Sequence, residues 1–234
     1  MKKFFAHPLF YCVFALLGLA GMGLQYWFFA DAPDGNQLLT SWHPAILLSF
    51  ALLALVLVLA IVSRNHVRVP QLSTPIRAAG AGLGVVFSAV AAIVLLGKGK
   101  YLLFGLCLLS TFSALYILRA QISHRKPHFS AYSIFAVCFM FYLISRYRIY
   151  SAEPETSRYV FKILALICMM LVFYQQAAIR AGLGRFASYH LWRSMTLFLT
   201  FTALPSSGNP MLYLSAAMWL LVDPLPRPKE EEST

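Results

Sequence analysis

The sequence predicts an all-α bundle of seven or eight membrane-spanning helices. Hydrophobic residues make up 60% of the chain, charged residues make up only 12%, and the apolar residues occur in long runs. An ordinary soluble domain is about half apolar and about a quarter charged, so a water-soluble globule of this composition would leave much apolar surface in water. We expect residues 1–234 to form a single transmembrane helical domain, with a flexible acidic tail at 228–234.

Eight segments are candidates for membrane-spanning helices, because a helix needs about 20 mainly apolar residues to cross a bilayer. The last two are short, so they could form two tilted spans, or one span followed by a re-entrant piece. Proline lies at or beside the start of several segments, where the missing N–H costs nothing. The segments are Pro8–Phe29, Pro44–Ser63, Ile76–Leu96, Tyr101–Leu118, Phe129–Ile149, Tyr159–Ile179, Tyr189–Leu204 and Pro210–Val222.

Small residues predict which helices pack closely. Gly80 and Gly84 form a GxxxG pair in the third segment, and the first segment contains Gly18, Gly21 and Gly23. Small side chains let helix backbones approach where lipid supplies no hydrophobic driving force. We therefore expect these two helices to lie centrally. Glycine after Arg180 would also end the sixth helix, and Asn209 is expected to cap the eighth.

The net charge of +11 predicts an orientation rather than a nucleic-acid interface, because the basic residues are spread in small groups between hydrophobic segments. Thirteen of the 19 lysines and arginines fall on one side when the N-terminus is placed in the cytoplasm. This bias predicts a bacterial plasma (inner) membrane protein with a cytoplasmic N-terminus. The bilayer is the first expected partner.

A polar loop after the fifth segment is the most concentrated candidate site. Arg146, Arg148, Glu153 and Glu155 could bind an anionic or zwitterionic solute at the outer mouth, or could simply compensate one another as exposed ion pairs. A second candidate is His43, which lies near carboxylates in sequence. It could bind metal or sense pH, or it could cap the second helix.

The inner end of the sixth segment supplies further candidates. Gln175 and Gln176 could contact a polar ligand or hydrogen-bond between helices. Arg180, Arg185 and Arg193 would anchor anionic lipid, with Arg193 within about a turn of a helix end and so able to reach the headgroups.

Little in the sequence indicates an enzyme. All eight acidic residues fall in predicted loops or tails, which disfavours a carboxylate-based carrier or protease inside the membrane. HExxH and GxSxG are absent, and the four cysteines lie in apolar runs without a metal-ligand or disulfide pattern. We therefore predict no catalytic residue, no metal site and no cofactor, without excluding an enzyme.

Two stretches resemble segments of uncharacterised multi-pass membrane proteins of Firmicutes-type bacteria: Tyr147–Glu155 (YRIYSAEPE) and Tyr174–Gly184 (YQQAAIRAGLG). The resemblance implies a bacterial plasma-membrane location and no established activity. The size and aromatic content are also similar to the substrate-binding subunits of energy-coupling-factor vitamin transporters. Those have six spans and an early AxxxA pattern, whereas Ala15 and Ala20 are wrongly spaced here.

Three functions stay open. The first is small-solute binding or a transport-associated role at the outer mouth. The second is a structural or accessory subunit of a membrane complex. The third is an intramembrane enzyme, for which the inner-side candidates are Gln175, Gln176, His190 and Arg193.

Overall fold

The computed structural model of the chain describes residues 10–31, 43–63, 74–123, 127–150 and 159–222, without the side chains of residues 74 and 148–150. Within these ranges every regular element is an α-helix, which confirms the predicted all-α bundle. The helices are α1 (Phe10–Asp31), α2 (Pro44–Ser63), α3 (Thr74–Gly97), α4 (Tyr101–Ile122), α5 (Phe129–Tyr150), α6 (Val160–Arg180), α7 (Phe186–Thr202) and α8 (Pro210–Val222).

The six helices α1 to α6 are long and apolar enough to cross a membrane. Successive helices run in opposite directions, so α1, α3, α5 and α7 begin at one end of the bundle, which we name the N-terminal end. The opposite end is named the far end. The architecture is that of a membrane-spanning helical bundle.

The short helices α7 and α8 form an antiparallel hairpin inside this bundle. They have 17 and 13 residues, so they match the predicted short pair. α7 packs against α1, α2, α6 and α8, while α8 packs along α3. Most side chains of both helices are buried by protein, so the longer helices form their surroundings.

Glycines set the distance between this hairpin and its neighbours. A methyl group on Gly18 would lie 2.7 Å from the Phe198 carbonyl oxygen, and one on Gly84 would lie 3.0 Å from the Trp219 indole ring. Gly80 meets the Val222 side chain in the same way. The prediction that small residues of α1 and α3 allow close packing is confirmed at these positions.

The hairpin also donates hydrogen bonds to carbonyl groups of α1 and α3. Ser215 Oγ donates to Gly84 O at 2.8 Å, and Thr202 Oγ1 lies 3.5 Å from Gly18 O. The sequence predicted that the Asn209 side chain caps α8, but this side chain makes a different contact. Its Nδ2 donates to the Ala91 carbonyl oxygen at 3.1 Å instead, because α3 passes beside the start of α8.

Glycine ends α6 as predicted. Gly182 has φ +82°, a left-handed conformation that costs glycine little. Its N–H donates to Ile179 O, and the N–H of Leu183 donates to Ala178 O at 2.9 Å, which satisfies the last carbonyls of the helix. The short turn that follows places α7 directly beside α6.

We predict that two alanine substitutions in α1 have opposite effects on stability. Gly18→Ala should destabilise the protein by about 1 to 3 kcal/mol, because its methyl group collides with the α7 backbone. Gly23→Ala, which meets nothing within 4 Å, should be neutral or stabilising by up to about 1 kcal/mol through helix propensity. Thermal unfolding in detergent measures both. Equal effects of the two substitutions would contradict the close α1 to α7 packing.

Candidate functional site

Polar and charged side chains from three helices meet inside the bundle near its N-terminal end. α1 supplies a tyrosine, α2 supplies a serine from its last turn, and α7 supplies a tyrosine, a histidine and an arginine from its first half. All are buried, and the histidine and the arginine have no exposed surface at all. We name this cluster the buried arginine site; its members are Tyr11, Ser63, Tyr189, His190 and Arg193.

The position of Arg193 corrects the sequence prediction. The seventh segment was expected to begin at Tyr189, which would place Arg193 near a helix end and within reach of lipid headgroups. α7 begins earlier, at Phe186, so Arg193 lies about two turns inside the helix. Its side chain is 0% exposed, so it does not lie at a helix end beside the headgroups as the sequence suggested, and anionic lipid as its partner stays a prediction.

His190 is held between two hydroxyl groups. Tyr11 Oη lies 2.8 Å from Nδ1, and Ser63 Oγ lies 2.9 Å from Nε2. Ser63 donates its own proton to the Leu59 carbonyl oxygen at 2.6 Å, so it must accept from Nε2–H. In the neutral tautomer protonated on Nε2, Nδ1 accepts from the Tyr11 hydroxyl, whereas in the imidazolium Nδ1–H donates to Tyr11 Oη over the same distance.

The Arg193 guanidinium stacks on an aromatic face. Its central carbon lies 3.9 Å from the centroid of the Tyr11 ring and 5.8 Å from that of Tyr189. Nη2 makes one long hydrogen bond, 3.5 Å, to the Leu221 carbonyl oxygen at the end of α8. Nε and Nη1 are buried and have no hydrogen-bond partner within the described ranges.

The charge of Arg193 has no nearby carboxylate in the part of the chain that the structure describes. Asp31 carries the one carboxylate within the described ranges, and it ends α1 at the far end of the bundle. Tyr11 and Asp31 are separated by about 30 Å along that helix. Among the described residues, the guanidinium is stabilised by its cation–π contacts with Tyr11 and Tyr189 and by the long hydrogen bond to Leu221 O.

A second group of cations lies at the far end, where Arg146 was predicted to contact a solute. Arg146 Nη2 donates to Tyr142 Oη at 3.1 Å, and the guanidinium packs over Gly208. Lys98 Nζ donates to the Gly208 carbonyl oxygen at 2.7 Å. Partial burial lowers the pKa of the Lys100 ammonium, and the positive charges of Arg146 and Lys98 lower it further.

The rest of the predicted outer site lies outside the described residues. Glu153 and Glu155 fall in the stretch 151–158, and the side chain of Arg148 is likewise not described. The solute site that combines them with Arg146 therefore stays a prediction.

A small, partly open cavity lies beside Tyr142, between α3, α4, α5, α6 and α8. It measures about 20 Å³, which accommodates about one water molecule. Hydroxyl, thiol and indole groups line part of it, including Ser88, Cys107, Ser110 and Trp219. A solute-sized chamber is not formed there in this conformation.

His43 has a structural role at the far end. Its Nδ1 accepts from the Ala45 N–H at 3.2 Å, which confirms the predicted cap of α2. Nε2 lies 3.6 Å from Asp31 Oδ2, so the same ring links the end of α1 to the start of α2.

The two predicted glutamines face different surroundings. Gln176 is buried on the inner side of α6, whereas Gln175 lines an open groove of about 420 Å³ together with Arg185 and Ser188. Arg180 stacks over the Tyr132 ring at 4.7 Å, near the N-terminal end. Gln175 thus belongs to this groove and not to the buried arginine site, so the structure does not unite the four residues considered for an intramembrane enzyme.

We predict that replacing Arg193 by methionine stabilises the unliganded protein. Methionine fills a similar volume without burying an uncompensated charge, so the gain should be about 1 to 4 kcal/mol. Arg119→Met, at an exposed position in the last turn of α4, should change stability by less than about 0.5 kcal/mol. Thermal unfolding in a neutral detergent measures the difference. A destabilised Arg193→Met variant would show that the charge is compensated in the purified protein.

We also predict that Lys100 reacts unusually fast with amine-directed acylating reagents, since a lowered pKa raises the fraction of free amine. Lys98→Met removes one of the neighbouring charges, so it should raise the pKa of Lys100 and slow the reaction at a given pH. Mass spectrometry of acylated Lys100 over about pH 7 to 10 measures the midpoint. An unchanged midpoint in the variant would contradict the proximity of these cations.

No protein-family model, curated protein or solved structure matches this chain. The resemblance of Tyr147–Glu155 and Tyr174–Gly184 to bacterial membrane proteins therefore stays an expectation.

Proposed function

We propose that this membrane protein binds an oxyanion, a carboxylate or phosphate group, at the buried arginine site. One observation carries the proposal: Nε and Nη1 of Arg193 are fully buried N–H donors that find no acceptor among the described residues. Ionisable residues inside a membrane domain are costly and most often mark a ligand or ion pathway.

The physical argument is one of charge balance. A guanidinium loses its hydration when it is buried, and attraction to a hydrogen-bonded counterion is the usual compensation. The rings of Tyr11 and Tyr189 supply part of it through cation–π contacts, which do not neutralise the charge. An anionic oxygen would provide both the missing acceptors and the missing charge.

The ligand group can come from two sources. A soluble small anion would make the protein a solute-binding or transport-associated protein, in line with the first function considered from the sequence. The phosphate of a membrane lipid would supply the same chemistry from the bilayer. Arg193 favours an anionic oxygen from either source, and soluble anions and a short-chain lipid serve as separate probes of the two.

Several finer expectations support this proposal. We further propose that the N-terminal end of the bundle lies in the cytoplasm of a bacterium, as the charge bias predicts, so that the buried arginine site would face the inner leaflet. We further propose that Arg180 and Arg185 contact anionic lipid there. The open groove beside Arg185 has an alanine-rich apolar wall and polar groups from Gln175 and Ser188, as an amphipathic lipid requires.

The experiment measures thermal stabilisation of the detergent-purified protein by added anions at matched ionic strength. The probes are sulfate, acetate, inorganic phosphate and dihexanoyl phosphatidylglycerol, with dihexanoyl phosphatidylcholine as the uncharged-headgroup comparison. Binding at 100 times the dissociation constant should stabilise the folded state by about 2.7 kcal/mol. Stabilisation by the soluble anions indicates a solute site, and stabilisation by phosphatidylglycerol alone indicates a lipid headgroup.

Three variants decide whether the effect belongs to this site. Arg193→Met should lose the stabilisation, and Arg193→Lys should retain part of it because the charge remains. Arg119→Met removes an exposed charge at the same end of the bundle and should behave like the unmodified protein. If every anion stabilised Arg193→Met as well as the unmodified chain, the proposed function would be refuted.

A further inference from the structure

We infer that the oxyanion binds at the buried arginine site together with one proton, which His190 takes up. The inference rests on the proposed function and adds to it the protonation chemistry of the ligand. For a monovalent oxyanion, such as acetate or the phosphodiester of a lipid, the anion and the proton together are equivalent to a neutral acid. Such pairing lets an anion enter a low-dielectric bundle without adding net charge.

The first step is the state of the empty site. Ser63 donates to Leu59 O, so it accepts from Nε2–H of His190. In our proposal Nδ1 of the empty site is unprotonated and accepts from the Tyr11 hydroxyl, so both imidazole nitrogens have hydrogen-bond partners in the neutral ring. His190 has no exposed surface.

The second step is the coupling to Arg193. The Tyr11 ring lies between the two groups: the guanidinium stacks on its face at 3.9 Å, while its hydroxyl meets Nδ1 of His190 at 2.8 Å. Two positive charges this close in a buried site repel strongly. The guanidinium therefore favours the neutral imidazole as long as the site holds no anion.

The third step is the change that an anion brings. Its negative charge offsets that of Arg193 and removes the repulsion, so a proton from water can bind Nδ1. Nδ1–H then donates to Tyr11 Oη, and the Tyr11 hydroxyl turns to donate its own hydrogen elsewhere. One N–H bond forms, one proton leaves the solvent, and no other covalent bond changes.

The neighbours of His190 leave few other groups to take up this proton. On α1, the aromatic rings of Phe10 and Phe14 lie beside the His190 imidazole. From α8, the Leu221 carbonyl reaches the guanidinium and not the imidazole. Among the described residues, the titratable or charged groups that face His190 are Tyr11 from α1 and Tyr189 and Arg193 from α7, while α2 contributes the Ser63 hydroxyl.

The test counts protons taken up per anion bound. Isothermal titration in two buffers of different ionisation enthalpy at one pH gives this number directly. Sulfate, acetate and dihexanoyl phosphatidylglycerol all stay ionised near neutral pH, so an absorbed proton belongs to the protein. We expect about one proton per anion, and an affinity that rises up to about tenfold for each unit of decreasing pH, because the complex holds the proton more tightly than the empty site.

His190→Gln keeps a hydrogen-bonding side chain but cannot take up a proton, so it should bind the anion with no proton uptake and little pH dependence. His128→Gln, at an exposed position near the same end, is the matched control and should keep the full uptake. Because the unmodified protein gives the proton count by itself, a misfolded His190 variant would not block the test. Anion binding without proton uptake overturns this inference alone, whereas no binding by any probe overturns the proposed function.

Discussion

The close packing of the α7–α8 hairpin against α1 and α3 is the constraint on which the rest of the structure depends. Glycine at Gly18 and Gly84 lets the backbones approach until hairpin side chains reach their carbonyl oxygens. The side chains of the buried arginine site are consequently enclosed by protein. A guanidinium placed there must find its partners within the protein or in a ligand.

The position of the hairpin inside the bundle keeps the polar side chains of α7 away from lipid hydrocarbon. α7 carries serine, threonine, histidine and arginine side chains on its buried sides, and alone it would expose them to hydrocarbon. Its hydroxyl groups at Thr196, Thr200 and Thr202 bond to carbonyl oxygens of their own helix, three or four residues earlier. The longer and more apolar helices then face the lipid. Polar side chains thus lie in the core, where they can contact a polar ligand, and apolar helices surround them as the membrane requires.

Much of the fold could be predicted from composition, because the bilayer sets helix length and the apolar runs match it. The helix boundaries were less certain, and an error of three residues at the start of α7 changed the interpretation of Arg193 from a surface anchor to a buried charge.

The partners of His190 could not be predicted at all. Tyr11 and Ser63 are 179 and 127 residues away in sequence, and both occur in stretches that read as ordinary apolar helix. A single sequence contains no periodicity that joins such distant positions. The available signal was the run of hydroxyl and charged residues in the seventh segment. Such side chains are costly in contact with lipid hydrocarbon, so their presence indicates a helix that is buried by protein.

The complete enclosure of Arg193 also bears on kinetics. Because no exposed path leads to the guanidinium in this conformation, an occupant could arrive or leave only when helices around it separate. Residence would then be governed by the rate of that opening, commonly microseconds to seconds for collective motions of helices, rather than by diffusion. A tightly held anion could accordingly survive detergent extraction and accompany the protein through chromatography, where intact-mass measurements under non-denaturing conditions would reveal it as a discrete added mass.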